Sequence, residues 1–174
     1  MSTDLHAVTV LGRDRPGIIA AATAGLAELG LNIEDSTMTL LRGHFAMMLL
    51  CRGVVDASTI ERALAPLTAD GSLDVAVRAV TAEPESASGG SAWVLTVHGG
   101  DRSGIVSAVV GEVAAAGGNI TDLTTRLAGD LYLLVAELEL PVAADPATVA
   151  EQIRAAAGRV GVTATLRPAE ADDL

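Results

Sequence analysis

The chain has 174 residues, half of them apolar, enough for one medium domain or two small ones of roughly 80 to 90 residues each. Its formal net charge is −11, and all eleven basic residues are Arg with no Lys, so no cationic surface is available to neutralise phosphates and direct nucleic-acid binding is not expected. One cysteine, Cys51, leaves no intrachain disulfide framework; the opening MSTDLHAV lacks the basic start of a secretory signal; and no run approaches the roughly 18 to 20 uninterrupted apolar residues of a membrane span, so a cytoplasmic protein is expected.

In chain order, Val8 and Val10 share one face of a first strand. The polar loop GRDRPG, residues 12–17, follows. Asp14 is expected to cap the next helix, Pro16 to pre-set its first turn and Gly17 to permit close packing. Ile19, Ala22, Leu26 and Leu29 fall on one stripe of that helix, and Gly30 ends it. Two β-rich runs, NIEDSTMTLL and HFAMMLLC, flank Arg42-Gly43 as a hairpin. Cys51 closes the second run and reads as a buried, inert thiol, with no base evident beside it. Ser58 and Glu61 stand in capping-box spacing at the head of a second helix whose inward residues are Ile60, Ala63, Leu64 and Leu67. Pro66 is expected to weaken or kink that helix. SLDVAVRAV completes the set as a fourth strand, and residues 81–92, TAEPESASGGSA, have the composition of a flexible linker.

The order then repeats. Shifting the chain by 87 residues aligns residues 8–47 with 95–134 without a gap, and 15 of these 40 positions are identical. The loop returns as GGDRSG, residues 99–104, after a strand containing Trp93, Leu95 and Val97. Val106, Val109, Val113 and Ala116 form the matching stripe, and Gly117 ends that helix. NITDLTTRLA and LYLLVAELEL flank Gly129-Asp130 as a second hairpin. Asp145 caps the last helix, with Pro146 at its first position and Val149, Ile153 and Ala156 inward; VGVTATLRP is the final strand. Each copy is therefore β-α-β-β-α-β, an α+β arrangement with both helices on one face of a four-stranded antiparallel sheet. The expected layout is a first domain at 1–80, a linker at 81–92, a second domain at 93–168 and a disordered acidic tail at 169–174.

Catalysis would require a nucleophile with its base, a carboxylate pair or a metal cluster, and none stands out. His6, His44 and His98 lack metal-ligand spacing, and Asp35 and Asp122 sit in alternating strands, where such residues face solvent. No enzyme activity, metal or cofactor is expected. Helix N-termini expose unpaired N–H groups, so each loop is a plausible cradle for a small anion.

The runs VTVLGRDRPGIIAAATAGLAELGLNIEDSTM and LTVHGGDRSGIVSAVVGEVAAAGGNITDLTT each resemble the start of an ACT domain, with its D-R-P-G-I loop, its helix and its G-x-N-I lead into the second strand. Together the two matches cover nearly the whole chain, which resembles the glycine cleavage system transcriptional repressor family. The resemblance implies ferredoxin-like sandwiches that each pair with another copy; because a four-stranded sheet has edge strands to cover, the two copies are expected to pack together within the chain, with a homodimer as a further option. The resemblance further implies an amino-acid effector at the pair interface and regulation through a protein partner. The positions implied to contact the effector are Leu11, Gly12, Arg13, Asp14, Arg15, Pro16, Gly17 and Ile18 with Asn32 and Ile33. In the second copy they are His98, Gly99, Gly100, Asp101, Arg102, Ser103, Gly104 and Ile105 with Asn119 and Ile120. Backbone N–H groups would take a carboxylate, Asp or Asn an ammonium, and the glycines would let the ligand reach the backbone.

Simpler readings stand beside these. Asn32 and Asn119 would merely tolerate a positive φ, His98 would merely face solvent, or the module would pair without any effector. ACT domains also precede enzymes such as formyltetrahydrofolate deformylase, but the second domain here is another ACT copy, so a regulatory role is expected. Because Ser103 and Gly100 replace Pro16 and Arg13, ligand is expected at the first loop before the second.

Overall fold

A computed structural model describes residues 4–81 and 89–169; the proposed tail beyond 169 and most of the proposed linker lie outside the described residues. The chain divides into two compact units, Met1–Glu85 and Ser86–Leu174. In the first unit the order is β1 (Asp4–Arg13), α1 (Ile18–Glu28), β2 (Asn32–Leu41), β3 (His44–Gly53), α2 (Ala57–Thr68) and β4 (Leu73–Val80). The second repeats it as β5 (Ser91–Gly100), α3 (Ile105–Ala115), β6 (Asn119–Ala128), β7 (Leu131–Leu140), α4 (Pro146–Arg159) and β8 (Val162–Pro168). Ser91 and Ala92, assigned to the linker on composition, are the first residues of β5, where they pair with Leu140 and Glu139.

Each unit is a ferredoxin-like α+β sandwich. The sheets have strand orders β2-β3-β1-β4 and β6-β7-β5-β8, with every pairing antiparallel. Alternation along the strands sends one set of side chains to the helices. Val8, Val10, Phe45, Met47 and Leu49 are buried with Ile18, Ala22, Leu26, Ile60 and Leu64 in the first core. Leu95, Val97, Leu134, Ala136 and Leu138 are buried with Ile105, Val109, Val113 and Ile153 in the second.

The expected stripe on each first helix holds except at its first position. Helix α1 begins directly after Gly17, so Ile18 takes the row with Ala22 and Leu26 while Ile19 turns outward; Val106 likewise gives way to Ile105. Capping differs too. Gly17 and Gly104, at φ 90° and 88°, are the N-caps of α1 and α3, and no side chain caps either helix, so Asp14 does not cap α1. Helix α2 is capped by Asp56, which accepts the Thr59 N–H, rather than by a Ser58–Glu61 box; Ser58 lies inside the helix and donates its hydroxyl to the same carboxylate. Asp145 caps α4 and Pro146 opens it, as read from the sequence. Pro66 falls in the last turn of α2, which continues to Thr68.

Candidate functional site

Each strand-to-helix loop lies at one end of its sheet, between two other turns. The Asp14 N–H donates to the Gly43 carbonyl of the β2–β3 hairpin at 3.0 Å, and the Arg13 N–H to the Ser72 carbonyl of the α2–β4 turn at 2.9 Å. That hairpin turns on Arg42 and Gly43, both with positive φ, which suits a two-residue loop matching the strand twist. In the second unit the Asp101 N–H donates to the Asp130 carbonyl in the corresponding place.

The loop residues repeated in both copies divide by role. Arg15 turns away from the opening: its Nη2 donates to the Leu67 carbonyl at the end of α2 at 3.1 Å, and its Nε lies 3.7 Å from Asp70 Oδ2. A cation there meets carbonyls that have no partner within the helix. Asp70 is held below the usual carboxylate range by the Ser72 hydroxyl and N–H first, and by Arg15 after them. Arg102 lies in the corresponding place, its guanidinium packed beside Gly161 just beyond the end of α4.

Gly12 is also structural. At φ 154°, a Cβ there would come 2.1 Å from the Ser72 carbonyl oxygen, so its missing side chain admits the neighbouring turn; Gly99 similarly admits Val162. Ile18 and Ile105 are buried in the cores, leaving only their backbone for recognition.

What remains exposed at the first loop is Arg13, Asp14, Pro16 and Gly17, beneath a helix start without a side-chain cap. Nothing lies within 4 Å of where a Cβ on Gly17 would be, so the loop is open at Gly17. Arg42 and His44, which sequence reasoning did not select, border the same end: Arg13 is the register partner of His44, and Arg42 precedes the carbonyl that holds Asp14. Their only sequence signal was the turn pair Arg42-Gly43. The second loop has no such basic border, since Gly100, Gly129, Asp130 and Leu131 stand where the first has Arg13, Arg42, Gly43 and His44.

Asn32 and Ile33 do not join the loop within the unit. Arg13 pairs with His44 and Asn32 with Arg52, eight residues farther along β3, or about 27 Å at about 3.4 Å per residue. Asn119, opposite Glu139, is as far from Gly100, opposite Leu131. Neither Asn has a positive φ; that conformation belongs to Gly30 and Gly117, so tolerance of positive φ does not account for the asparagines. His98 is exposed on the sheet face away from the helices, opposite Leu133.

The sequence had offered Cys51 no base, yet His6 is its direct cross-strand partner, buried, with Nδ1 lacking a hydrogen-bond partner. Burial pushes the Cys51 thiol up, away from the nucleophilic thiolate. Among the described residues, no group of three or more His, Cys, Asp or Glu is placed to hold a metal, and no helix is long and apolar enough to cross a membrane.

Residues 6–78 match the ACT domain family. The chain is 29% identical over 155 residues to the glycine cleavage system transcriptional repressor of Escherichia coli strain K12, covering 85% of this chain and 81% of the relative. A UPF0237 protein of Streptococcus pneumoniae is 49% identical over 41 residues, which are 24% of this chain and 47% of that protein. Among solved structures, one of an unknown protein from Galdieria sulphuraria superposes with a TM-score of 0.81 at 27% identity, covering 97% of this chain and 99% of the other.

Proposed function

We propose that this chain, a tandem ACT-domain protein resembling the glycine cleavage system transcriptional repressor, is a cytoplasmic regulator that binds an amino acid and acts through a protein partner. Control of amino-acid or glycine metabolism at the level of transcription is the process this resemblance favours. The observation that carries the effector is the first loop: an uncapped helix start, open at Gly17 and bordered by Arg13, Arg42 and His44. The free N–H groups of α1 receive the effector's carboxylate, and Asp14 is free to receive its ammonium.

Asn32 lies too far along β3 to touch the same molecule within one unit, so an effector needing both loop and asparagine is shared between two ACT units. Binding then favours one state of association over another, which is what regulation through a partner requires. The net charge and the lack of Lys direct the output to a protein rather than to DNA.

One observation favours a module that pairs without an effector: Gly12 and Arg15 already have structural roles, so their repetition needs no ligand. A thermal-shift screen of the twenty amino acids separates the readings. An effector at 100 times its Kd adds about 2.7 kcal/mol of apparent stability, and Asp14→Ala and Asn32→Ala remove that shift while leaving the fold intact. Silence across all twenty at millimolar concentration leaves the pairing module.

A further inference from the structure

The face of the first sheet turned away from α1 and α2 carries three register rows, each running β2, β3, β1, β4. They are Asp35, Leu50, Ala7, Arg78; then Thr37, Met48, Thr9, Ala76; then Thr39, Ala46, Leu11, Asp74. An antiparallel sheet that turns one face to water is ordinarily polar on that face. Here the centre is apolar and threonine-lined, with Met48 44% and Leu11 55% exposed.

The rows are complementary to themselves. A two-fold axis parallel to the strands, above the middle of the face, sets β2 of one copy over β4 of the other and β3 over β1, each row against its own counterpart. Met48 then meets Thr9, Leu50 meets Ala7 and Leu11 meets Ala46, a large side chain over a smaller one in every central pair. At both rims Asp35 meets Arg78. Stacked sheets lie about 10 Å apart, a gap that an extended Arg and an Asp close together. Among the described residues Arg78 has no ion-pair partner of its own.

We infer that a second copy of this chain docks on this face, forming an isologous sheet-on-sheet dimer locked by two Asp35–Arg78 contacts. The second sheet keeps the rim, as Asp122 and Arg167, but Glu137 stands where the first has Leu50. The same operation there would press a carboxylate onto Val94, so the first face is the self-complementary one.

Sedimentation velocity on the full chain tests this. The wild type dimerises, and Asp35→Arg or Arg78→Asp alone sets like charges together and weakens association about tenfold or more. Mixed in equal amounts, the two variants recover a dimer, because each copy now supplies the charge that the other lacks. Met48→Glu, at an exposed position whose retained fold circular dichroism checks, dissociates the dimer; Val135→Glu, at the matching place on the second sheet, leaves it intact. A monomeric wild type, single charge variants that dimerise unchanged, a mixture that fails to recover, or loss with Val135→Glu but not Met48→Glu would each overturn the inference.

Discussion

Asp145 and Asp14 both stand just ahead of a helix, yet only the first is bonded to it. Asp145 accepts the Thr148 hydroxyl and N–H, and Asp56 accepts the Thr59 N–H and the Ser58 hydroxyl; these bonds hold both carboxylates below their usual range. A depressed folded-state value gives stability that is full above about pH 4, the ordinary range for an aspartate. That stability is lost as pH falls through the folded value. Asp145→Ala should therefore lower Tm at neutral pH and flatten the acid side of a Tm-against-pH curve. Asp14→Ala should leave unfolding free energy within about 0.5 kcal/mol, as an exposed change touching no cap does. Arg15→Ala removes the bond to the Leu67 carbonyl and should cost about 1 kcal/mol in a urea titration. The letters Asp-Arg were legible in both loops, but not their directions, because three residues separate Asp14 from the first helical residue and Gly17 turns the chain between them.

At the scale of elements, twelve strands and helices followed from periodicity and turn residues, in the right order and with nearly the right ends. The one misread position on each first helix has one cause: a left-handed glycine starts the helix at Ile18 or Ile105, which takes the inward row from Ile19 or Val106. Gly12 has a packing role that its sequence position hides. A glycine beside a polar loop invites a ligand in sequence, while in three dimensions its neighbour is the Ser72 carbonyl, 60 residues away in sequence and adjacent only through β4 pairing. Gly12→Ala should thus act as a packing mutation, costing about 2 kcal/mol or more by chemical denaturation. Gly99→Ala should cost less, since its nearest contact, 2.8 Å to Val162 Cγ1, is longer than the 2.1 Å at Gly12.

For the whole molecule, the duplication was legible because 87 residues separate the copies without a gap, but the distance between the loop and the asparagine was not. Asp14 and Asn32 are close in sequence, and α1 carries the chain between them back along the full sheet, so proximity in sequence becomes separation in space. The copies also diverge in charge around their loops. In a chain of net charge −11, a ligand carboxylate approaches against the overall field and depends on local cations. The first loop is bordered by Arg13, Arg42 and His44, and the second by Asp130 with no basic counterpart to these. Titration calorimetry with an effector found by the thermal screen should therefore report one binding event per chain, weakened by added salt. Transplanting the first turn into the second unit, as Gly129→Arg with Asp130→Gly, should introduce a second event while the first persists. Two equal events in the unaltered chain would mean that the backbone N–H groups suffice without the basic border.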